Sequence, residues 1–141
     1  MNLRSMGVCA ITTALLAAGC GKGDEALVKA SEVCTETLTK QADSGMSDDE
    51  LVAADKRTAD KAAEAAQMDD SFAELAKAAS NWQQSRENLA DLTKRVQDGT
   101  ATDEEFMQLQ NRPDPKPDLV AACRSVKAAG GEFDYSLLDD A

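Results

Sequence analysis

The chain predicts an all-α fold, a small antiparallel helical bundle, on three observations. Alanine, the best helix former, supplies 21 of the 122 residues from Cys20 onward, against 10 Leu, 6 Val, 3 Phe and no Ile. No segment alternates β-branched or aromatic residues with polar ones, as a half-buried strand requires. Capping signals, in which Ser or Thr is followed three residues later by Glu, occur at Ser47/Glu50, Ser71/Glu74 and Thr102/Glu105. The core is thin: Leu, Val and Phe make up only 19 of those 122 residues, below the roughly 20% at which a highly charged chain tends to disorder. Alanine offsets the deficit because small side chains let helices approach closely.

A first helix is expected from about Asp24 to Ala42, with Leu27, Ala30, Cys34 and Leu38 recurring at three- and four-residue spacing on one stripe. Ser44-Gly45 ends it. The Ser47/Glu50 box opens a second helix running to about Met68, whose weak stripe is Leu51, Ala54, Thr58, Ala62 and Ala65. The chain is expected to turn near Asp69-Asp70, a kinked continuous helix being the alternative, and the Ser71/Glu74 box opens a third helix reaching about Asp98, with Gly99 as its stop. In that helix Phe72, Leu75, Ala79, Trp82, Arg86, Leu89, Thr93 and Val96 alternate steps of three and four, the heptad seam of antiparallel bundles. Trp82 therefore reads as core and not as a ligand platform. Arg86 is expected to pack its stem and send its head to a neighbouring acid such as Glu36 or Asp60.

Thr102 and Glu105 open a short helix to about Gln110 carrying Phe106, Met107 and Leu109. Proline at every second position in Arg112-Pro-Asp-Pro-Lys-Pro117 predicts an extended, rigid connector in preference to a recognition motif. The last helix, about Asp118 to Ala129, places Leu119, Ala122, Cys123 and Val126 on one face and stops at Gly130-Gly131. The acidic-aromatic tail from Glu132 to Ala141, with Phe133, Tyr135, Leu137 and Leu138, either packs along the bundle or stays loose as a recognition segment. The sequence leaves both open.

Ahead of the helical part, Arg4 precedes a run from Met6 to Gly19 without a charged residue. Such a run is too short for a membrane span, which needs roughly 20 apolar residues. It has the pattern of a secretory signal. Leu16-Ala17-Ala18-Gly19-Cys20 resembles a lipobox, and the chain as a whole resembles small bacterial lipoproteins whose mature part is a disulfide-stapled helical domain. That resemblance implies removal of residues 1–19, a diacylglyceryl group on Cys20 and a short tether over residues 20–24. A bundle domain over 25–131 and the tail 132–141 complete the organisation. It also implies an extracytoplasmic protein anchored to the bacterial cell membrane through the lipid on Cys20. In a Gram-negative cell, Gly21 after the cysteine resembles the outer-membrane sorting pattern.

The same resemblance sets the cysteine arithmetic. Cys9 leaves with the signal and Cys20 carries lipid, so Cys34 and Cys123 remain as an even pair in an oxidising compartment. It therefore implies a bundle stapled by one disulfide, Cys34 to Cys123. A redox or metal-binding role for the pair is disfavoured, because the chain has no histidine and no C-x-x-C.

Loss of Arg4 leaves 14 basic against 26 acidic residues, a net charge of −12. That balance argues against nucleic acid and favours a basic protein partner. Acidic clusters at 48–49, 69–70, 103–105 and 139–140 lack the spacing of a calcium loop. Three of them stand at expected helix starts, where acids favour the helix dipole. With no histidine, no free thiol, no G-x-S-x-G and no glycine-rich phosphate loop, no catalytic residue, metal site, cofactor or small-molecule substrate is expected. The favoured reading is a non-enzymatic interaction or structural module of the cell envelope. The alternatives are a small inhibitor of an envelope or host hydrolase and, less favoured, a carboxylate-dependent hydrolase.

Overall fold

A computed structural model of the chain describes residues 12–39, 45–134 and 136, with side chains from Gly21 onward except Lys22. The signal residues 1–11, the expected end of the first helix at Ala42, and Tyr135, Leu137 and Leu138 of the tail lie outside the described residues. Five α-helices occur among those described, in the order α1 (Thr12–Thr39), α2 (Asp48–Met68), α3 (Ala73–Gln97), α4 (Asp103–Gln110) and α5 (Lys116–Ala128). A single 3₁₀ turn, Asp70–Phe72, joins α2 to α3. No described helix is long and apolar enough to cross a membrane.

Local chemistry sets most of the helix ends. At α2 the Ser47 hydroxyl accepts from the Glu50 N–H, and the Glu50 carboxylate accepts from the Ser47 N–H at 2.8 Å. Thr102 and Glu105 close the same reciprocal box at α4. The Ser71/Glu74 box does not form. Asp69 instead ends α2 and accepts from the Ser71 N–H at 2.9 Å, and α3 opens after Phe72 with no side-chain cap. Phe72 is buried, so packing of its ring orients the start of α3 where a cap was expected.

At the far end of α3, Gly99 has φ +69° and the N–H of Thr100 donates to Arg95 O at 2.8 Å. This is the six-to-one closure of a Schellman motif, whose left-handed residue favours glycine. The connector departs from an extended reading: Pro115 is helical in backbone, and Pro117 lies in the first turn of α5. There its missing N–H costs nothing, since first-turn N–H groups have no intrahelical partner. At the other end of the chain, α1 begins at Thr12, so the backbone of 20–24 is helical where a tether was expected.

α1 packs on α2, α2 on α3, α3 on α5 and α5 back on α1, which closes a ring of four. Cross-ties show α1 and α2, and α2 and α3, to be antiparallel. Lys29 pairs with Glu64, and Glu36 with Lys61, between α1 and α2. Asp55 pairs with Arg86, and Asp49 with Lys94, between α2 and α3. The exposed ones, such as Asp49 with Lys94, contribute roughly 0–1 kcal/mol each and set register more than stability, whereas Asp55 is buried beneath its partner. α2 buries Ala54, Ala59, Ala62 and Ala65, and larger buried side chains come from the other three helices of the ring: Val33, Leu75, Leu119 and Val126. The tail turns back as far as Phe133, which packs against the core while Lys127 Nζ donates to its carbonyl.

The seam of α3 holds in its first half only. Phe72, Leu75 and Ala79 are buried, Trp82 and Arg86 are half-buried, and Leu89 and Val96 are 45% and 42% exposed. Ala90 and Leu92 are buried in their place. A straight helix drifts about 20° per heptad against a 3.5-residue repeat, so over three heptads a strict seam rotates out of the contact. Trp82 therefore stands at the rim of the core. The guanidinium of Arg86 covers its ring at 5.4 Å, and Arg86 Nε donates at 3.2 Å to buried Asp55, not to Glu36 or Asp60. Glu36 is engaged by Lys61 and Thr58. Trp82→Ala is expected to cost about 2 kcal/mol, roughly half the loss for a fully buried tryptophan. Urea unfolding measures it. A cost near zero, or one as large as a core deletion, contradicts the rim position.

Candidate functional site

The residues singled out by sequence fall in three different settings. Cys34 of α1 and Cys123 of α5 are fully buried and joined, with Cα atoms 5.6 Å apart, so they tie the first helix of the bundle to the last. Cys20 falls within α1, and its side chain lies outside the described residues. The acids at 48–50, 69–70 and 103–105 all stand at helix or turn starts. Asp139-Asp140 lies outside the described residues.

Electrostatics at these acids matches capping. Glu50 and Asp69 are held below the ordinary carboxylate range, in each case chiefly by a backbone N–H, of Ser47 and of Ser71 respectively. Glu105 is pulled furthest, from 4.5 to about 2, first by the Arg95 guanidinium and then by the Thr102 N–H. These groups favour the ionised acceptor, the opposite of what a general acid requires. Because the folded value is depressed, Glu105 supports the α3–α4 junction fully above about pH 4.5, and that support is lost as pH falls towards 2. Relative to the intrinsic rate, which itself slows as pH falls, amide exchange of α4 is expected to speed up over that interval in the wild type. In Glu105→Gln it should already be fast at neutral pH.

A groove of about 580 Å³ runs along α1, between that helix and the turn that follows α5. Leu27 and Val28 form its floor, and Val28 is 56% exposed. Asp24, Glu32, Glu36 and Glu132 supply carboxylates around it, and no Lys or Arg is among the described residues that line it. Two of the four, Glu32 and Glu36, share the ammonium of Lys61. The groove depends on Gly130 and Glu132 returning beside α1. Sequence reasoning placed Gly130-Gly131 as a helix stop but had no means of seeing what it faces. The described residues hold no group of three His, Cys, Asp or Glu able to hold a metal ion.

Comparison of the chain with protein-family models, with curated proteins and with solved structures finds no match.

Proposed function

We propose that this protein is an extracytoplasmic lipoprotein that acts, without catalysis, as an interaction module of the cell envelope and engages a basic partner through the α1 groove. The observation that carries this reading is an apolar floor, half-buried Leu27 and exposed Val28, bordered by four carboxylates. A cationic amphipathic segment complements both features: its apolar residues cover the floor and its Lys or Arg residues meet the rim. The compartment is supported by the segment ending at Cys20, which resembles a lipobox. Asp24 follows that cysteine by four residues, about 6 Å of helix, so a partner bound here would lie close to the membrane surface.

The anchor and the groove are tested separately. Metabolic labelling with a fatty acid is expected to mark the wild type, and Cys20→Ala is expected to be unlabelled and released from membranes. Equal labelling of both refutes the anchor. For the groove, a photo-crosslinking residue in place of Val28 is expected to trap a protein with a basic surface in the native cell. Binding of that purified partner should weaken as salt screens charge over roughly 10 Å at 0.1 M, and Asp24→Lys should weaken it further. Binding indifferent to salt and to Asp24→Lys refutes the groove. Multi-turnover hydrolysis of an envelope substrate, abolished by replacing one carboxylate, overturns the non-catalytic reading.

A further inference from the structure

The groove beside α1 follows the surface of that helix. Asp24, Val28, Glu32 and Glu36 form one row at four-residue spacing. Leu27, Ser31 and Thr35 form the next row. Adjacent rows of this kind are the ridges between which a second helix lays its own side chains. From Asp24 to Glu36 they run twelve residues, about 18 Å. The short side chains of Ser31 and Thr35 leave the furrow between the rows open to close approach.

The hydrogen-bond donors of this surface are spent within the fold. The Ser31 hydroxyl donates to the Leu27 carbonyl at 2.8 Å, and the Thr35 hydroxyl to the Ser31 carbonyl at 2.9 Å. Both residues therefore turn carbon towards the furrow. Backbone N–H groups from Asp24 to Glu36 lie inside α1, where each bonds four residues back. At the opposite wall, Gly130 and Gly131 donate to the carbonyls of Lys127 and Val126. An extended strand lying here turns carbonyls towards a wall with no row of donors to meet them, and each polar group left unpaired costs its desolvation. A helix closes its own backbone hydrogen bonds and needs from the groove only apolar contact and charge.

Charge selects the rest. Glu32 and Glu36 share the Lys61 ammonium at 2.9 and 2.6 Å, so much of their attraction is already met. Asp24 and Glu132 are exposed and form no ion pair among the described residues. Theirs is the charge left to hold a partner. A second copy of this chain, with 26 acids against 15 bases, brings repulsion to that rim. We infer, on the strength of the role proposed above for this groove, that it seats one basic amphipathic helix of about three turns. The apolar side of that helix covers Leu27, Val28 and Thr35, and its Lys or Arg residues meet Asp24 and Glu132.

Two peptides of about 14 residues, with equal numbers of Leu and Lys, test the seat: one has its leucines at helical spacing, the other alternates Leu and Lys strictly. Titrated into the Cys20→Ala protein at low salt, the helix-patterned peptide is expected to bind the tighter. It should gain helical circular dichroism on binding, since so short a helix is marginal when free. Asp24→Asn combined with Glu132→Gln should weaken binding about tenfold. Asp98→Asn combined with Glu104→Gln removes the same charge beyond the other end of α3 and should change it by less than about twofold. Equal or tighter binding of the alternating peptide, or binding without gain of helix, overturns the helical seat and leaves the acidic groove standing. Equal weakening by the two double substitutions shows that bulk charge alone draws the peptide, and overturns the seat as well. Binding of neither peptide overturns the seat together with the role proposed for the groove.

Discussion

Joint replacement of Cys34 and Cys123 by alanine is expected to lower stability by roughly 4–5 kcal/mol, the loop-closure entropy of a bond spanning 89 residues. That loss is comparable to the whole stability a small core supplies, so the variant should be largely unfolded or molten at 37 °C. The bond is worth this much because of where it sits. It joins α1 to α5, the two ends of the ring of four helices, and so closes the ring covalently. Urea unfolding of the oxidised protein, the reduced protein and the double variant measures the effect. Three coincident curves, or free alkylation of both thiols in protein isolated without reductant, would show that the bundle stands without its staple.

Gly131→Ala is expected to destabilise by about 1–3 kcal/mol, the usual cost of forcing atoms into a filled space. A Cβ at Gly131 meets Ser31 Oγ and Val126 Cγ1 at 2.7 Å and the Val126 carbonyl oxygen at 2.9 Å. The last of these belongs to backbone that cannot move independently, because the Gly131 N–H itself donates to it at 2.9 Å. The turn after α5 thus lies directly on α1, and the groove beside Leu27 and Val28 is bordered by that contact. Gly45→Ala is the control. A Cβ there has nothing within 4 Å, and alanine should be neutral or slightly stabilising. Equal midpoints for Gly131→Ala and wild type would mean that the close approach is absent in solution.

Most of the fold was legible because most of its punctuation is local. A capping box needs residues three apart, and Ser47/Glu50 and Thr102/Glu105 form as their spacing predicts. Ser71/Glu74 has the same spacing and fails, because Asp69 takes the Ser71 N–H and Phe72 is pulled into the core. A strong local signal lost there to a stronger local competitor and to packing. Pro117 was misread for a related reason: proline excludes helix interior but not the first turn, and the sequence pattern did not distinguish the two.

The candidate sites were less legible, since each needs residues distant in sequence. The α1 groove brings Asp24 and Leu27 beside Glu132. Arg86 was seen to need an acid, and its helix allowed several. Only the register of α2 against α3 selected Asp55.

By itself the sequence determined the helical class, the positions of the turns and the placing of Cys34 and Cys123 on apolar stripes. These follow from propensity, capping and period, which act within about one turn of helix. Tertiary structure alone decided which face of α3 is buried beyond Ala79, why Trp82 stands at the rim, and where chain returns leave grooves. Those depend on how straight helices of 3.6 residues per turn drift past one another and on a glycine-sized approach between α1 and the end of α5. Neither quantity is written in any single segment.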